Sequence, residues 1–189
     1  LISEINKVGA QALFKRSRVH VTRRILEECP SLFVIQLCCI GDDSVDKQAC
    51  ADHGGMVFND PISNGRSVVE LVIGNMITLS RRLYETNQRC REGNWDKNNH
   101  HRFEVMGKNI GILGLGNIGR GVARIAHNLG MNIHFFDTRQ VSIELGKELG
   151  WTHIHDVTEL FRVSDILTVH LSARDIQGLS NEGVLGTEV

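Results

Sequence analysis

The sequence predicts an α/β protein built on doubly wound parallel sheets. Short apolar runs alternate with helix-period segments along nearly the whole chain, the pattern of repeated βαβ units. The best-defined run, Leu32 to Ile40, is almost continuously apolar, as expected of a strand covered on both faces. A further run leads through a glycine-rich turn into a helical segment and then into another apolar run.

That last stretch, Asn109 to Asp137, organises the rest. Ile110, Ile112, Leu113 and Leu115 lead into Gly114-x-Gly116-x-x-Gly119. Ile118, Val122, Ile125, Ala126 and Leu129 then fall on one helical face, and Gly130 ends the helix. Ile133 to Phe136 forms the second strand, which stops at Asp137. Gly114 permits the tight turn off the strand, Gly116 lets a pyrophosphate approach the backbone, and Gly119 lets helix and strand pack closely. The helix start offers unpaired N–H groups and the positive end of its dipole. Asp137 stands 18 residues past Gly119, near the spacing of a carboxylate that accepts from a ribose diol. Together these predict a Rossmann-type dinucleotide site that prefers NAD, because a carboxylate repels a 2′-phosphate. Arg139, two residues on, blurs that preference.

Bulk properties exclude several classes. A net charge of −1 gives no electrostatic case for nucleic acid or an anionic membrane. The five cysteines are an odd number without CxxC spacing and read as free thiols in a reducing cytoplasm. The most apolar long stretch, Ser67 to Leu79, is interrupted by Glu70 and Asn75 and does not read as a membrane span. No signal peptide or internal repeat is evident. The chain starts with Leu1 inside an apparent helix and stops at Val189 without a closing surface segment, so both ends read as cut.

In order, Leu1 to Asn6 reads as a helix and Val8 to Phe14 as a short buried strand. Lys15, Arg16 and Arg18 follow at the strand's carboxyl end, where three cations can clamp an anion or simply form a solvated turn. Thr22 is placed to cap a helix over Arg23 to Cys29, which Pro30 prevents from continuing. After the Leu32–Ile40 strand, Gly41 and a capping acid leave exposed N–H groups suited to a carboxylate, although a plain βα turn looks the same. Asp46 to His53 reads as a helix, Met56 to Phe58 as a strand, and Asn59 to Gly65 as turn chemistry marking a hinge. One long amphipathic helix is expected from Ser67 to about Arg91. His100 and His101 are adjacent, point apart and lack companion ligands, so no metal site is expected. Ser142 to Leu149 and Val157 to Arg162 read as helices, Trp151 to His155 and Ile166 to His170 as strands. His153 and His155 are expected at the surface. His170-Leu171-Ser172 falls where a doubly wound sheet places its ligand crevice.

These landmarks together resemble the D-isomer-specific 2-hydroxyacid dehydrogenases, most of all their phosphoglycerate branch, from about Ala12 to His170. The matching stretches are Arg16-Ser17-Arg18, Cys39-Ile40-Gly41 with Asp46, Asn59-x-Pro61, Ser63-Asn64-x-Arg66-Ser67-Val68-x-Glu70-Leu71, Trp95-x-Lys97, Gly107-Lys108 and His170-Leu171. Val69 and Ser172 depart from the family pattern, and after Ser172 the match thins to Gly178-Leu179. The resemblance implies part of a flavodoxin-like substrate domain over residues 1–64 and a Rossmann NAD-binding domain over 65–189, cut at its C-terminus. It implies that the backbone of Ile40 and Gly41 holds a substrate carboxylate and that Arg16, Arg18 and Asn64 face a phosphate. Trp95 and Lys97 would reach into a neighbouring subunit's site. Gly114, Gly116, Asn117, Ile118, Gly119, Asp137 and the backbone near His170 would bind NAD.

The implied activity is NAD-dependent interconversion of 3-phosphoglycerate and 3-phosphohydroxypyruvate, the entry to serine synthesis, in a homodimer or homotetramer. The family's catalytic Arg, Glu and His would lie beyond Val189, so this polypeptide alone is expected to be inactive, and His170 is not that histidine. Alternatives are a dehydrogenase for glyoxylate, hydroxypyruvate or a D-lactate-type acid, a non-catalytic corepressor-like NAD binder, and a decayed reading frame.

Overall fold

The computed structural model describes residues 1–16, 18–95, 97–172, 180, 181, 183, 184 and 186. Gly178 and Leu179, where the resemblance thins, lie outside the described residues. The chain forms two compact units, Leu1–Gly65 and Arg66–Val189.

The first unit runs α1 (Ile2–Val8), β1 (Ala12–Lys15), α2 (Arg23–Glu28), β2 (Val34–Leu37), α3 (Lys47–Asp52) and β3 (Met56–Asn59). Its three strands are parallel in the order β1-β2-β3. Lys15 pairs with Leu37 and Leu37 with Asn59, so the three carboxyl ends share one edge. The core gathers Ile5, Leu26, Leu32, Ile35, Leu37 and Cys50. Each fully buried aliphatic side chain contributes about 1.5–3 kcal/mol over its exposed state.

Three local expectations are corrected here. Val8 ends α1 and is exposed, because Gly9 turns the chain in the left-handed conformation (φ 60°) and closes the helix. The strand therefore starts only at Ala12, on a sheet edge, and Phe14 is exposed. Thr22 stands at the N-cap of α2 in an extended conformation, but its hydroxyl makes no cap bond. Asp46 does cap α3, accepting from the Ala49 N–H at 2.8 Å.

The second unit holds α4 (Gly65–Arg81, starting from the last residue of the first unit), α5 (Leu83–Arg91), β4 (Asn109–Leu113), α6 (Asn117–Asn128), β5 (Asn132–Phe136), α7 (Gln140–Glu148), β6 (Thr152–His153), α8 (Val157–Val163) and β7 (Ile166–Val169). Its four strands are parallel in the order β6-β5-β4-β7. The order reverses at β4, so the carboxyl end of β4 is the topological switch point where such sheets open a crevice. Ile110, Ile112, Val122, Ala126, Ile133 and Phe135 form the core between sheet and helices, joined by Val69 and Met76 of α4.

The single helix expected over Ser67 to Arg91 is broken at Arg82, whose φ is +51°. The Phe103 N–H donates to the Ser80 carbonyl at 2.8 Å, taking the acceptor that a continuous helix would give to Tyr84. His153 is also not a plain surface residue. It is half-buried, with its ring 5.2 Å from Phe135 and 4.4 Å from His155. Its Nδ1, like that of His134, has no hydrogen-bond partner among the described residues.

All five cysteines are free. Among the described residues no helix is long and apolar enough to cross a membrane, and no cluster of three potential metal ligands occurs.

Candidate functional site: the glycine elbow and Asp137

β4 ends at Leu113, and the chain turns through Gly114 with φ +95°. A side chain there would be strained and would also meet the His170 carbonyl oxygen at 2.8 Å. The Gly114 N–H donates to Phe136 O at 2.9 Å, and the His170 N–H donates to Leu113 O at 2.8 Å. The elbow is thereby tied to the ends of β5 and β7 on its two sides. Gly119 lies in the first turn of α6, where a methyl group would overlap the Gly114 carbonyl. Gly116 is the N-cap of α6 in an extended conformation. The N–H groups of Gly116, Ile118 and Gly119 meet no acceptor among the described residues. This is the donor array an anionic diphosphate needs, backed by the positive end of a 12-residue helix. Asn117 is exposed at the same helix start and receives the Arg120 guanidinium on its side-chain oxygen at 2.6 Å.

Asp137 follows β5 and is 8% exposed. Its Oδ2 accepts from the Leu115 N–H at 2.7 Å, inside the elbow itself. Its Oδ1 accepts from the Arg139 N–H at 2.8 Å and from Arg139 Nε at 3.1 Å, and Arg139 Nη2 donates to Oδ2 at 3.0 Å. Burial alone would push the carboxyl pKa up. The Arg139 and Leu115 donors outweigh that and hold it below the ordinary carboxylate value, so Asp137 is ionised at neutral pH. The Leu115 bond and the Arg139 pairing were not foreseen in the sequence. The only signal was the position of Leu115 between two motif glycines and of Arg139 two residues past the acid.

His170 borders the elbow through its backbone. Its ring Nε2 is 3.0 Å from Thr168 Oγ1, and burial lowers its pKa, which keeps the imidazole neutral.

The first unit gathers a different set. Arg16 follows β1, and Ile40 and Gly41 follow β2, all at the shared carboxyl edge. The N–H groups of Ile40 and Gly41 find no acceptor among the described residues. Asn59, from the end of β3, donates its amide to Ile40 O at 3.0 Å and so anchors that turn. Arg16 and Arg18 are exposed and make no ion pair among the described residues. Lys15 does not join them. It is 5% exposed and turned inward, its ammonium donating to Ser44 Oγ and to Ser44 O at 3.4 Å. Burial lowers its pKa, against a smaller opposing effect of Cys39. Of the three cations expected at this strand end, only Arg16 and Arg18 are therefore left exposed. Asn64 is exposed, just past an Asp60 turn that accepts from the Ile62 and Ser63 N–H groups at 3.0 and 2.9 Å. Trp95 and Lys97 lie in the second unit and are exposed, Trp95 at 83%.

Comparison with known proteins agrees with the elbow. Residues 73–185 match the family model for the D-isomer specific 2-hydroxyacid dehydrogenase, NAD binding domain. D-3-phosphoglycerate dehydrogenase of Escherichia coli (strain K12) is 38% identical over 156 residues, which is 82% of this chain and 37% of that protein. The putative D-3-phosphoglycerate dehydrogenase of Schizosaccharomyces pombe is 35% identical over 165 residues, 87% of this chain and 34% of that protein. Among solved structures, the apo form of D-lactate dehydrogenase from Escherichia coli is 31% identical with a TM-score of 0.72, covering 90% of this chain and 53% of that one. A 2-hydroxyacid dehydrogenase from Ketogulonicigenium vulgare is 28% identical with a TM-score of 0.78, covering 93% and 55%. The chain thus spans about a third of the length of these curated relatives. Its glycines and its free N–H groups fit the diphosphate of the coenzyme that the family binds, and this chain belongs to the D-isomer-specific 2-hydroxyacid dehydrogenases and carries their NAD-binding domain.

Proposed function

We propose that this chain supplies the coenzyme-binding and phosphate-recognising parts of an NAD-dependent dehydrogenase that interconverts 3-phosphoglycerate and 3-phosphohydroxypyruvate, at the entry to serine synthesis. The observation that carries the substrate is the pair Arg16 and Arg18, two exposed guanidinium groups without an ion-pair partner among the described residues. They belong to the carboxyl edge that also offers the free N–H groups of Ile40 and Gly41. A carboxylate suits the N–H pair and a phosphate suits the guanidinium forks, the two anionic ends of one small acid. Asn64 adds an amide donor to the phosphate end. Bound NAD supplies the hydride acceptor for the alcohol carbon, while the chain's own donors hold and orient the substrate.

The test is calorimetric binding of 3-phosphoglycerate and of glycerate to the NADH-saturated chain. The phosphorylated acid should bind at least about tenfold tighter, the effect of one or two charge-assisted hydrogen bonds. The Arg16→Ala/Arg18→Ala double variant should erase that preference and leave glycerate binding unchanged. Equal binding of the two acids by the unmodified chain would favour an unphosphorylated 2-hydroxy acid, such as the lactate in the name of one structural relative.

The same proposal includes a homodimer, with Trp95 and Lys97 serving the neighbouring subunit. Its support is the outer side of α4, where Leu71 and Leu79 are exposed although Val69 and Met76 of the same helix are buried. Sedimentation should show two copies that separate when Leu79 is changed to Glu. A monomer before substitution would remove this part. The free thiols suit the cytoplasm as its compartment.

A further inference from the structure

The coenzyme site as folded does not present Asp137 as an open acceptor. A carboxylate offers about four lone-pair positions. In this structure four N–H donors occupy them: Leu115 N, Arg139 N, Arg139 Nε and Arg139 Nη2. The ribose diol of NAD must bring two O–H donors to that same group, so it competes directly with the Arg139 side chain.

The guanidinium, in contrast, has donors to spare. Five N–H groups are available on an arginine, and two are directed at Asp137. Three remain, on a side chain that is 40% exposed. Arg139 Nη2 also lies only 3.4 Å from the position that a Cβ on Gly116 would take. The guanidinium therefore borders the elbow through Nη2 while staying open to a ligand. Arg139 is in addition the N-cap of α7, so the positive end of that helix adds to the potential there. Ion pairing with Asp137 offsets the negative charge of that carboxylate, which would repel a phosphate.

We propose that Arg139 sets the coenzyme preference of this chain: it blocks the ribose diol from Asp137 and turns its spare donors to a 2′-phosphate, so that the elbow accepts NADP as well as NAD. The proposal rests on the elbow being the coenzyme site. NAD binding requires the two side-chain bonds from Arg139 to Asp137 to open. NADP binding leaves them closed and adds bonds to the phosphate.

The test is equilibrium titration of the 189-residue chain with NADH and with NADPH, read by nicotinamide fluorescence, for the unmodified protein, Arg139→Ala and Arg139→Lys. Thermal melting confirms that each variant is folded. The unmodified chain should bind NADPH within about tenfold of NADH. Arg139→Ala should weaken NADPH and tighten NADH, moving the ratio of the two dissociation constants by at least about tenfold toward NADH. Arg139→Lys keeps the charge but loses the fork and should fall between them. A ratio that moves less than about twofold in Arg139→Ala, with NADH still bound, would overturn the role of Arg139 alone. A folded chain that binds neither coenzyme would overturn the elbow, and this proposal with it.

Discussion

The two regions proposed to bind anions are built on opposite principles. In the second unit, the elbow is made of backbone. Gly114 is held by a positive φ and the His170 carbonyl, Gly119 packs against Gly114, and Asp137 is fixed by an N–H of the elbow. In the first unit, Arg16, Arg18 and Asn64 are exposed side chains, and only the Ile40–Gly41 turn is anchored, by Asn59. The backbone of the coenzyme site is set before any ligand arrives. The other site must lose rotamer freedom on binding, which costs about 0.5–1.5 kcal/mol per long side chain. The glycine elbow is thus bound into folding, whereas the proposed substrate residues are nearly independent of it.

The largest expected effect breaks the elbow itself. Gly119→Val places a branched side chain against the Gly114 carbonyl, with no flexible neighbour to give way. Overpacking of this kind costs about 1–3 kcal/mol or more, so the melting temperature should drop by several degrees and NADH binding should vanish. The Arg16→Ala/Arg18→Ala variant offers the contrast, since surface substitutions usually stay within about 0.5 kcal/mol. A comparable loss of stability in both variants would remove the distinction between the two regions.

A smaller effect sharpens it through pH. His134, His153 and His170, all in the second unit, have pKa values lowered by burial. His155 and Lys147 add to this for His153. The unfolded chain therefore takes up protons first as pH falls through the ordinary imidazole value near about 6.5. Stability is complete above that value and declines below it. The melting temperature should fall by about 2 °C or more between pH 7.5 and pH 5.5, a range in which ordinary carboxylates are still ionised. A flat or rising curve would show that these imidazoles are not held neutral by the fold.

The same contrast explains what was legible in the sequence. Glycine spacing, strand runs and the acid after β5 are forced by geometry, so the residue types themselves announce the elbow. Parallel strand order and the βαβ rhythm follow from the same apolar pattern. The break at Arg82 was not legible, because it depends on a long-range bond from Phe103 to the Ser80 carbonyl. Nor was the inward turn of Lys15, which depends on Ser44, 29 residues away. The closure of Asp137 by Arg139 is local, yet an aspartate and an arginine two residues apart are usually just neighbours in a turn. The proposed substrate set was suggested only by family resemblance, since exposed arginines carry no packing signature.

The most direct measurement of the central claim is NADH titration of Gly116→Val. A Cβ at Gly116 meets only the end of the flexible Arg139 side chain, and its backbone is extended, so the fold should be unaffected. The diphosphate, however, has to approach this atom. The melting temperature should be unchanged and NADH affinity reduced by about a hundredfold, in line with about 2–3 kcal/mol of lost charge-assisted bonding. A folded Gly116→Val chain that binds NADH as tightly as the unmodified protein would contradict that claim.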